Sequence, residues 1–280
     1  MKTVIIQGGL GNQMFQYAFF LSEFKKNKQI RIDITLTKEQ NQHNGFELEK
    51  VFNIKGQSNK LSFILFKITR KFPEIVHNLL RIELITDENI SQYTNTQRCF
   101  YYGYWQNEHY FKSIEEDIRS TFKFNTSKIS RETSNLLEKI KESNSISLHI
   151  RRGDYLSKEN NRIYGNICTP QYYKKAIEKI KEKVKDPIFI VFSNDPYWVK
   201  SNFQLENAVY VNFNNGNNSW QDMFLMSQCQ HNIIANSSFS WWGAWLNKNP
   251  HKLVITPYKF TNNKNSENII PDTWIKIHDL

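Results

Sequence analysis

The chain has 280 residues, enough for two domains of ordinary size or one large α/β domain. No apolar run approaches the roughly 20 residues that span a bilayer, and the first, residues 4–6, is cut short by glycines, so no secretory leader is expected. Cys99, Cys168 and Cys229 are odd in number and unrelated in spacing, which excludes a disulfide framework or zinc pattern and suits a reducing compartment. The net charge of +10 is that of a protein with an anionic partner (nucleic acid, a membrane surface or a phosphate-rich ligand), or equally of one kept soluble by lysine.

In chain order, "TVIIQ" and "IRIDI" read as strands around a helix over about 13–27, with Met14, Phe15, Ala18, Phe19 and Leu21 as its apolar side. Residues 36–130 alternate little and carry an aromatic cluster, "CFYYGYW"; they are expected to complete an N-terminal unit with irregular insertions. A Lys- and Glu-rich helix over about 130–142 then leads into "SISLHI", "PIFIVFS", "AVYVNF", "NIIAN" and "LVITP". Helical patterns near 171–184, 195–202, 220–228 and 239–247 separate these runs. Strands alternating with helices predict parallel sheets. The expected domains are 1–143, an N-terminal α/β domain, and 144–280, a C-terminal Rossmann-like domain.

Between the first strand and helix stands Gly8-Gly9-Leu10-Gly11-Asn12-Gln13-Met14. It supplies two of the three glycines of a dinucleotide fingerprint, with Met14 in place of the third, and Asp33 stands where a ribose-binding acid would. No Gly-Lys-Ser/Thr follows, so it is not a P-loop. A glycine turn at a helix N-terminus favours anions, and Asn12 and Gln13 add side-chain amides there. A structural turn, an anion site and dinucleotide binding all stay open on these residues alone.

The strand "SISLHI" runs into Arg151-Arg152-Gly153-Asp154. Alternation puts Ile146, Leu148 and Ile150 on one face, His149 and Arg151 on the other. Two guanidinium groups at a strand's end suit bidentate contacts to a diphosphate, against a surface salt-bridge cluster as the plain reading. Further on, Asn236-Ser237-Ser238 precede a helix carrying Trp241, Trp242 and Trp245. The serines suit a helix cap or a phosphate oxygen, and the tryptophans suit packing better than ligand stacking. Asp222, among apolar residues, suits a helix N-terminal charge or a carboxylate facing the paired donors of guanine.

Together, "GGLGNQMFQYAF", "HIRRGDY", "FSNDPYWVK" and "ANSSFSWWGAWL" resemble the α-1,2-fucosyltransferases of glycosyltransferase family 11, over most of the chain. The resemblance implies two Rossmann-like α/β domains facing a cleft, the glycosyltransferase B arrangement in its fucosyltransferase variant. It also implies inverting, metal-independent transfer of fucose from GDP-L-fucose to the 2-hydroxyl of a galactoside. The donor is then a substrate, and no cofactor is expected. By the same resemblance His149, Arg151, Arg152 and Asp154 fall on the first motif, where arginine holds the donor pyrophosphate. Asp222 falls on a guanine-contacting acid, and Ser237 and Ser238, after Asn236, fall on serines near the phosphates. Gly9, Gly11, Asn12 and Gln13 fall on a loop between donor and acceptor, with Asn12 close to the reacting sugar. Glu159, ten residues after His149, matches a catalytic carboxylate of some relatives.

The chemistry agrees: a departing GDP develops charge that fixed cations and backbone donors stabilise in place of a metal. No Asp-x-Asp element is present, and Glu115-Glu116-Asp117 falls in an exposed helix. Asp154 is the first candidate for the base that takes the acceptor proton and Glu159 the second, while a dissociative displacement needs no strong base. The expected partners are the nucleotide-sugar donor and a galactoside-containing glycan, lipid-linked where it serves surface polysaccharide synthesis. The expected place is the cytoplasm or the inner face of the membrane, touched through the basic surface. The rivals are a related transferase with another nucleotide sugar, a nicotinamide-dependent oxidoreductase, and a nucleic-acid module using the aromatic cluster.

Overall fold

The computed structural model describes residues 1–39, 44–93, 96–263 and 266–278; within these, the side chains of Asp154, Leu156, Glu159, Ser266 and Glu267 fall outside the description. The chain forms two compact units, Met1–Phe124 and Asn125–Leu280.

In the first unit, β1 (Lys2–Ile5), β2 (Ile30–Asp33), β3 (Glu83–Ile85) and β4 (Cys99–Tyr101) form a parallel sheet in the order β2-β1-β4-β3. The helices are α1 (Leu10–Lys26), α2 (Thr35–Glu39), α3 (Glu47–Phe52), α4 (Lys60–Lys71), α5 (Pro73–Leu80) and α6 (Glu115–Thr121). Ile5, Phe63, Phe66, Val76, Ile82 and Phe100 pack α4 and α5 onto the sheet. The aromatic cluster thus supplies β4, which pairs with β1 in the register Lys2 with Cys99. Residues 83–85 and 99–101 are two strands that the weak alternation of the region conceals.

The second unit holds a six-stranded parallel sheet, β10-β9-β8-β5-β6-β7, built from β5 (Ser145–Ile150), β6 (Ile188–Ser193), β7 (Ala208–Val211), β8 (His231–Ile233), β9 (Val254–Pro257) and β10 (Ile275–Ile277). Its helices are α7 (Arg131–Lys141), α8 (Lys158–Tyr164), α9 (Pro170–Lys181), α10 (Pro196–Asn202), α11 (Trp220–Gln228) and α12 (Ser238–Leu246). All six residues of β5 are buried, as helices on both faces of a parallel sheet require. The division between units falls before α7, earlier than the 143/144 boundary expected from sequence. The reason is packing: α7 buries Thr133, Leu136 and Ile140, and its start is tied to the second unit by Gln221 Oε1, which accepts the Ser130 amide at 2.7 Å.

α12 is apolar all round. Trp241 and Trp242 are fully buried with rings 5.0 Å apart and nearly perpendicular, and the Trp241 indole donates to the Ile269 carbonyl at 2.8 Å. The tryptophans are therefore packing. At Gly243 a Cβ would stand 2.7 Å from Met226 Cβ, so only glycine lets α11 and α12 cross this closely. Lys252 Nζ donates to the carbonyls of Ala244 and Asn247, satisfying the helix C-terminus. Among the described residues no helix is long and apolar enough to cross a membrane.

Candidate functional site

Each sheet reverses its strand order beside its first strand, at β1/β4 in the first unit and β5/β8 in the second. In open parallel sheets, ligands bind outside the carboxyl ends of the strands at such a reversal. His149, Arg151 and the Asn236-Ser237-Ser238 stretch follow β5 and β8, and the glycine loop follows β1, whereas Asp222 lies on α11 after the edge strand β7.

In the second unit, pairing of Leu148 with Ile233 carries the chain after β5 and the chain after β8 out at the same level. The two loops are joined by Tyr155, whose hydroxyl donates to the Asn236 carbonyl at 2.9 Å. His149 is 4 % exposed, and its Nδ1 is buried with no partner among the described residues. Burial, and then the Arg151 charge, push its pKa down to about 3, so the ring is neutral. Its ring centre lies 6.1 Å from that of Phe239 in the first turn of α12.

The two arginines differ. Arg152 lies 3.9 Å over the Trp198 ring, and its Nε is 3.6 Å from Asp195 Oδ2. Its amide donates to Asn194 Oδ1 at 3.0 Å. Asp195 also caps α10 by accepting the Trp198 amide. Arg152 thus fastens the loop after β5 to the loop after β6. Arg151 lies over the Tyr155 ring at 5.7 Å, on the side of the β8 loop. The side chains of Asp154 and Glu159 lie outside the described residues.

Ser237 occupies the N-cap position of α12, yet its side chain makes no capping hydrogen bond. Capping, one of the two sequence readings, does not account for it, and the N-terminus of a nine-residue helix is left without a side-chain cap. Ser238, half-buried, opens the helix. Asn236 is committed to the fold: its Nδ2 donates to the carbonyls of Tyr164 and Phe260, both at 3.0 Å.

Asp222 sits in the first turn of α11 and accepts a hydrogen bond from Asn214 Nδ2 at 2.9 Å on Oδ1. Asn214 Oδ1 in turn accepts from Thr133 at 3.1 Å. Desolvation by the packing around it raises the Asp222 pKa to about 7, although the Asn214 bond opposes the shift.

In the first unit, Gly8 adopts φ +75°, and a Cβ there would come within 2.8 Å of Asn12 Nδ2. Gly9 is the N-cap of α1, and Gly11 is buried in its first turn. Leu10 donates its amide to Glu47 Oε2 at 3.0 Å. A carboxylate therefore already occupies the helix N-terminus, where it interacts favourably with the dipole and would repel a second anion. This disfavours a dinucleotide pyrophosphate in the glycine loop. Gln13, fully buried, donates to the carbonyls of Gly8 and Gly45 at 2.7 and 2.8 Å and accepts from the Glu47 amide; it clasps the loop. Asp33 ends β2 with Oδ1 accepting from the Thr35 amide.

Asn12 is half-buried, and its Oδ1 accepts from Gln106 Nε2 at 2.8 Å. Gln106 is delivered by a bend after β4. The Asp87 carboxylate accepts the Tyr104 and Trp105 amides at 2.9 and 2.8 Å, holding Trp105 at φ +56°. Sequence reasoning missed Glu47, Gln106, Asp87 and Asn214; only Gln106 and Asn214 stand beside stretches that it singled out. A depression of about 530 Å³ lined by Arg81, Glu83, Thr96 and Gln97 lies at the amino ends of β3 and β4, and no candidate residue borders it. Among the described residues, no group of three or more His, Cys, Asp or Glu side chains lies together as metal ligands would.

Two units, each an open parallel sheet with helices and a strand-order reversal, define the class of fold. The crystal structure of the NodZ α-1,6-fucosyltransferase soaked with GDP-fucose shares it: TM-score 0.53 at 14% identity, over 88% of this chain and 92% of that one. The profile described as Glycosyl transferase family 11 matches residues 1–278. An α-1,2-colitosyltransferase of Escherichia coli is 36% identical over 97% of each chain. The O-antigen biosynthesis glycosyltransferase WbnK of Escherichia coli is 31% identical over 97% of this chain and 99% of that one. The chain belongs to glycosyltransferase family 11.

Proposed function

We propose that the protein transfers L-fucose from GDP-L-fucose to the 2-hydroxyl of a terminal galactoside with inversion, in surface oligosaccharide or polysaccharide synthesis. The observation that carries this reading is the β5/β8 reversal. There a neutral His149 with an unpartnered nitrogen lies 6.1 Å from Phe239 in the first turn of α12, and Arg151 lies over Tyr155, whose hydroxyl is bonded to Asn236 just before Ser237 and Ser238.

Such a place suits a diphosphate. Helix N–H groups and a guanidinium stabilise the charge that develops on GDP as the anomeric C–O bond breaks, which is how a metal becomes dispensable. Asp222 is assigned to guanine, whose N1–H and 2-amino group one carboxylate accepts together. The first unit is assigned the acceptor, with Asn12 the polar group that Gln106 orients and Gly9, Gly11 and Gln13 shaping its loop. The acceptor oxygen attacks the anomeric carbon, the bonding pair leaves with GDP, and the hydroxyl proton passes to a base. Asp154, then Glu159, are the candidates for that base.

A second reading concerns the sugar. The 36%-identical relative is named for colitose, which is fucose without its 3-hydroxyl. Turnover with GDP-fucose and GDP-colitose on galactoside acceptors, in EDTA, tests both readings. A product linked at the galactose 2-hydroxyl supports the transfer. Preference for GDP-colitose replaces the donor, and turnover only with UDP-sugars or only with added manganese overturns the reading.

A further inference from the structure

Of the eleven large apolar side chains exposed among the described residues, seven lie between Leu61 and Leu80. They have a helical order. α4 buries Phe63, Phe66 and Thr69 against the first sheet. On its other side Leu61, Ile64 and Ile68, spaced i, i+3 and i+7, form a second apolar stripe facing solvent, with Leu61 80% exposed. Phe72, Ile75 and Leu79 continue the exposed apolar surface through the junction and along α5, with Leu79 76% exposed. Core packing explains one face of α4 and leaves this one unexplained. A contiguous apolar patch on a folded unit marks a partner surface.

The charge around the stripe says which partner. Residues 60–81 carry Lys60, Lys67, Arg70, Lys71 and Arg81 against one acid, Glu74. Helical spacing sets Lys60, Lys67 and Lys71 along one flank of the stripe. The Lys67 and Lys71 ammonium groups lie over the Phe63 and Phe72 rings at 4.7 and 5.2 Å, and Lys67 also pairs with Glu39 at 2.6 Å. An apolar stripe bordered by lysines is the form of a helix that lies in the interface of an anionic bilayer, side chains among the acyl chains and ammonium groups at the phosphates. A second copy of the chain fits poorly, because a two-fold contact would set these cations against themselves.

We infer that the α4–α5 surface docks the protein on an anionic phospholipid bilayer. The contact is peripheral, and it stands whichever sugar is transferred and even if the donor assignment fails. It also gives the protein access to an acceptor carried on a lipid.

The test is sedimentation of the full chain with vesicles of phosphatidylglycerol and phosphatidylethanolamine, and with vesicles of phosphatidylcholine alone. The protein is expected to pellet with the anionic vesicles, less so at high salt, and to stay in solution with the neutral ones. Leu61→Ser with Ile64→Ser and Ile68→Ser should weaken the binding about tenfold or more with the melting temperature unchanged, because the stripe is exposed. Lys60→Gln with Lys67→Gln and Lys71→Gln should weaken it and remove most of its salt dependence. Failure of the wild-type chain to pellet overturns the inference, as does binding that both variants leave intact. Sedimentation velocity showing a dimer that the serine variant dissociates would assign the surface to a second copy instead, and overturns it too.

Discussion

Asn214 donates to Asp222 across the base of α11, and this single bond holds a carboxyl whose pKa desolvation has brought to about 7. In the unfolded chain the same group titrates near the usual carboxylate value. Between about pH 4 and pH 7 the folded protein therefore holds a proton that the unfolded chain has lost, and stability falls as pH rises through that window. Asp222→Asn should leave stability unchanged near pH 4 and raise it near pH 8, by up to about 4 kcal/mol. Chemical denaturation at the two pH values measures this; an equal effect at both would mean that the carboxyl titrates normally.

On the proposed guanine assignment the same proton bears on the donor. A guanine edge offers two donors, which the carboxylate form of Asp222 would accept together and the acid form would not. GDP affinity should weaken as pH falls below 7, and Asp222→Ala should cost roughly 2 kcal/mol of GDP binding at pH 8 while narrowing the preference over ADP. Calorimetric titration of both nucleotides reads this directly. Unchanged selectivity would return Asp222 to the scaffold.

Arg151 and Arg152 are expected to separate on replacement by lysine. Arg152→Lys loses a planar stack on Trp198 and an ion pair with Asp195, so it should loosen the loop after β6. Arg151→Lys keeps the charge but loses the fork, and should lower kcat by about tenfold or more with little change in melting temperature. Wild-type turnover for Arg151→Lys would rule out a guanidinium clamp.

Glu47 separates the two helix N-termini. Glu47→Gln removes a charge favourable to α1 and should cost about 0.3–1 kcal/mol of stability, with GDP affinity unchanged if phosphates bind at α12. A large change in GDP affinity would move the phosphate site to the glycine loop.

Gln106→Leu should leave the fold intact while releasing the Asn12 carboxamide from its 2.8 Å bond. Misplacing a positioned group is costly to turnover, so kcat should drop about tenfold or more with the KM for the donor little changed. An effect on donor KM alone would place Asn12 in binding instead.

The residues visible in the sequence are those whose position follows from local pattern. β5 ends at Ile150, between His149 and Arg151, and Ser237 stands at the N-cap of α12, because strand and helix periodicities end there. The partners of the glycine loop were not visible. Glu47 reaches Leu10 across 37 positions and Gln106 reaches Asn12 across 94, and no periodicity encodes such meetings. β3, β4 and β10, three residues each, are too short to show alternation. The serines before α12 were visible as residues, but their lack of a cap was not, since capping is a matter of rotamer.

α12 is fastened at both ends of its length, by the Trp241 indole on Ile269 and by Lys252 on its last carbonyls, and Met226 against Gly243 wedges its middle. A helix held this way resists sliding along its axis and rolling. On the proposed phosphate assignment its N–H groups are aimed before the donor arrives, so little of the interaction energy goes into rearranging them. Substitutions at Gly243 should therefore be felt at Ser237, through displacement of a rigid rod rather than through any contact with the ligand.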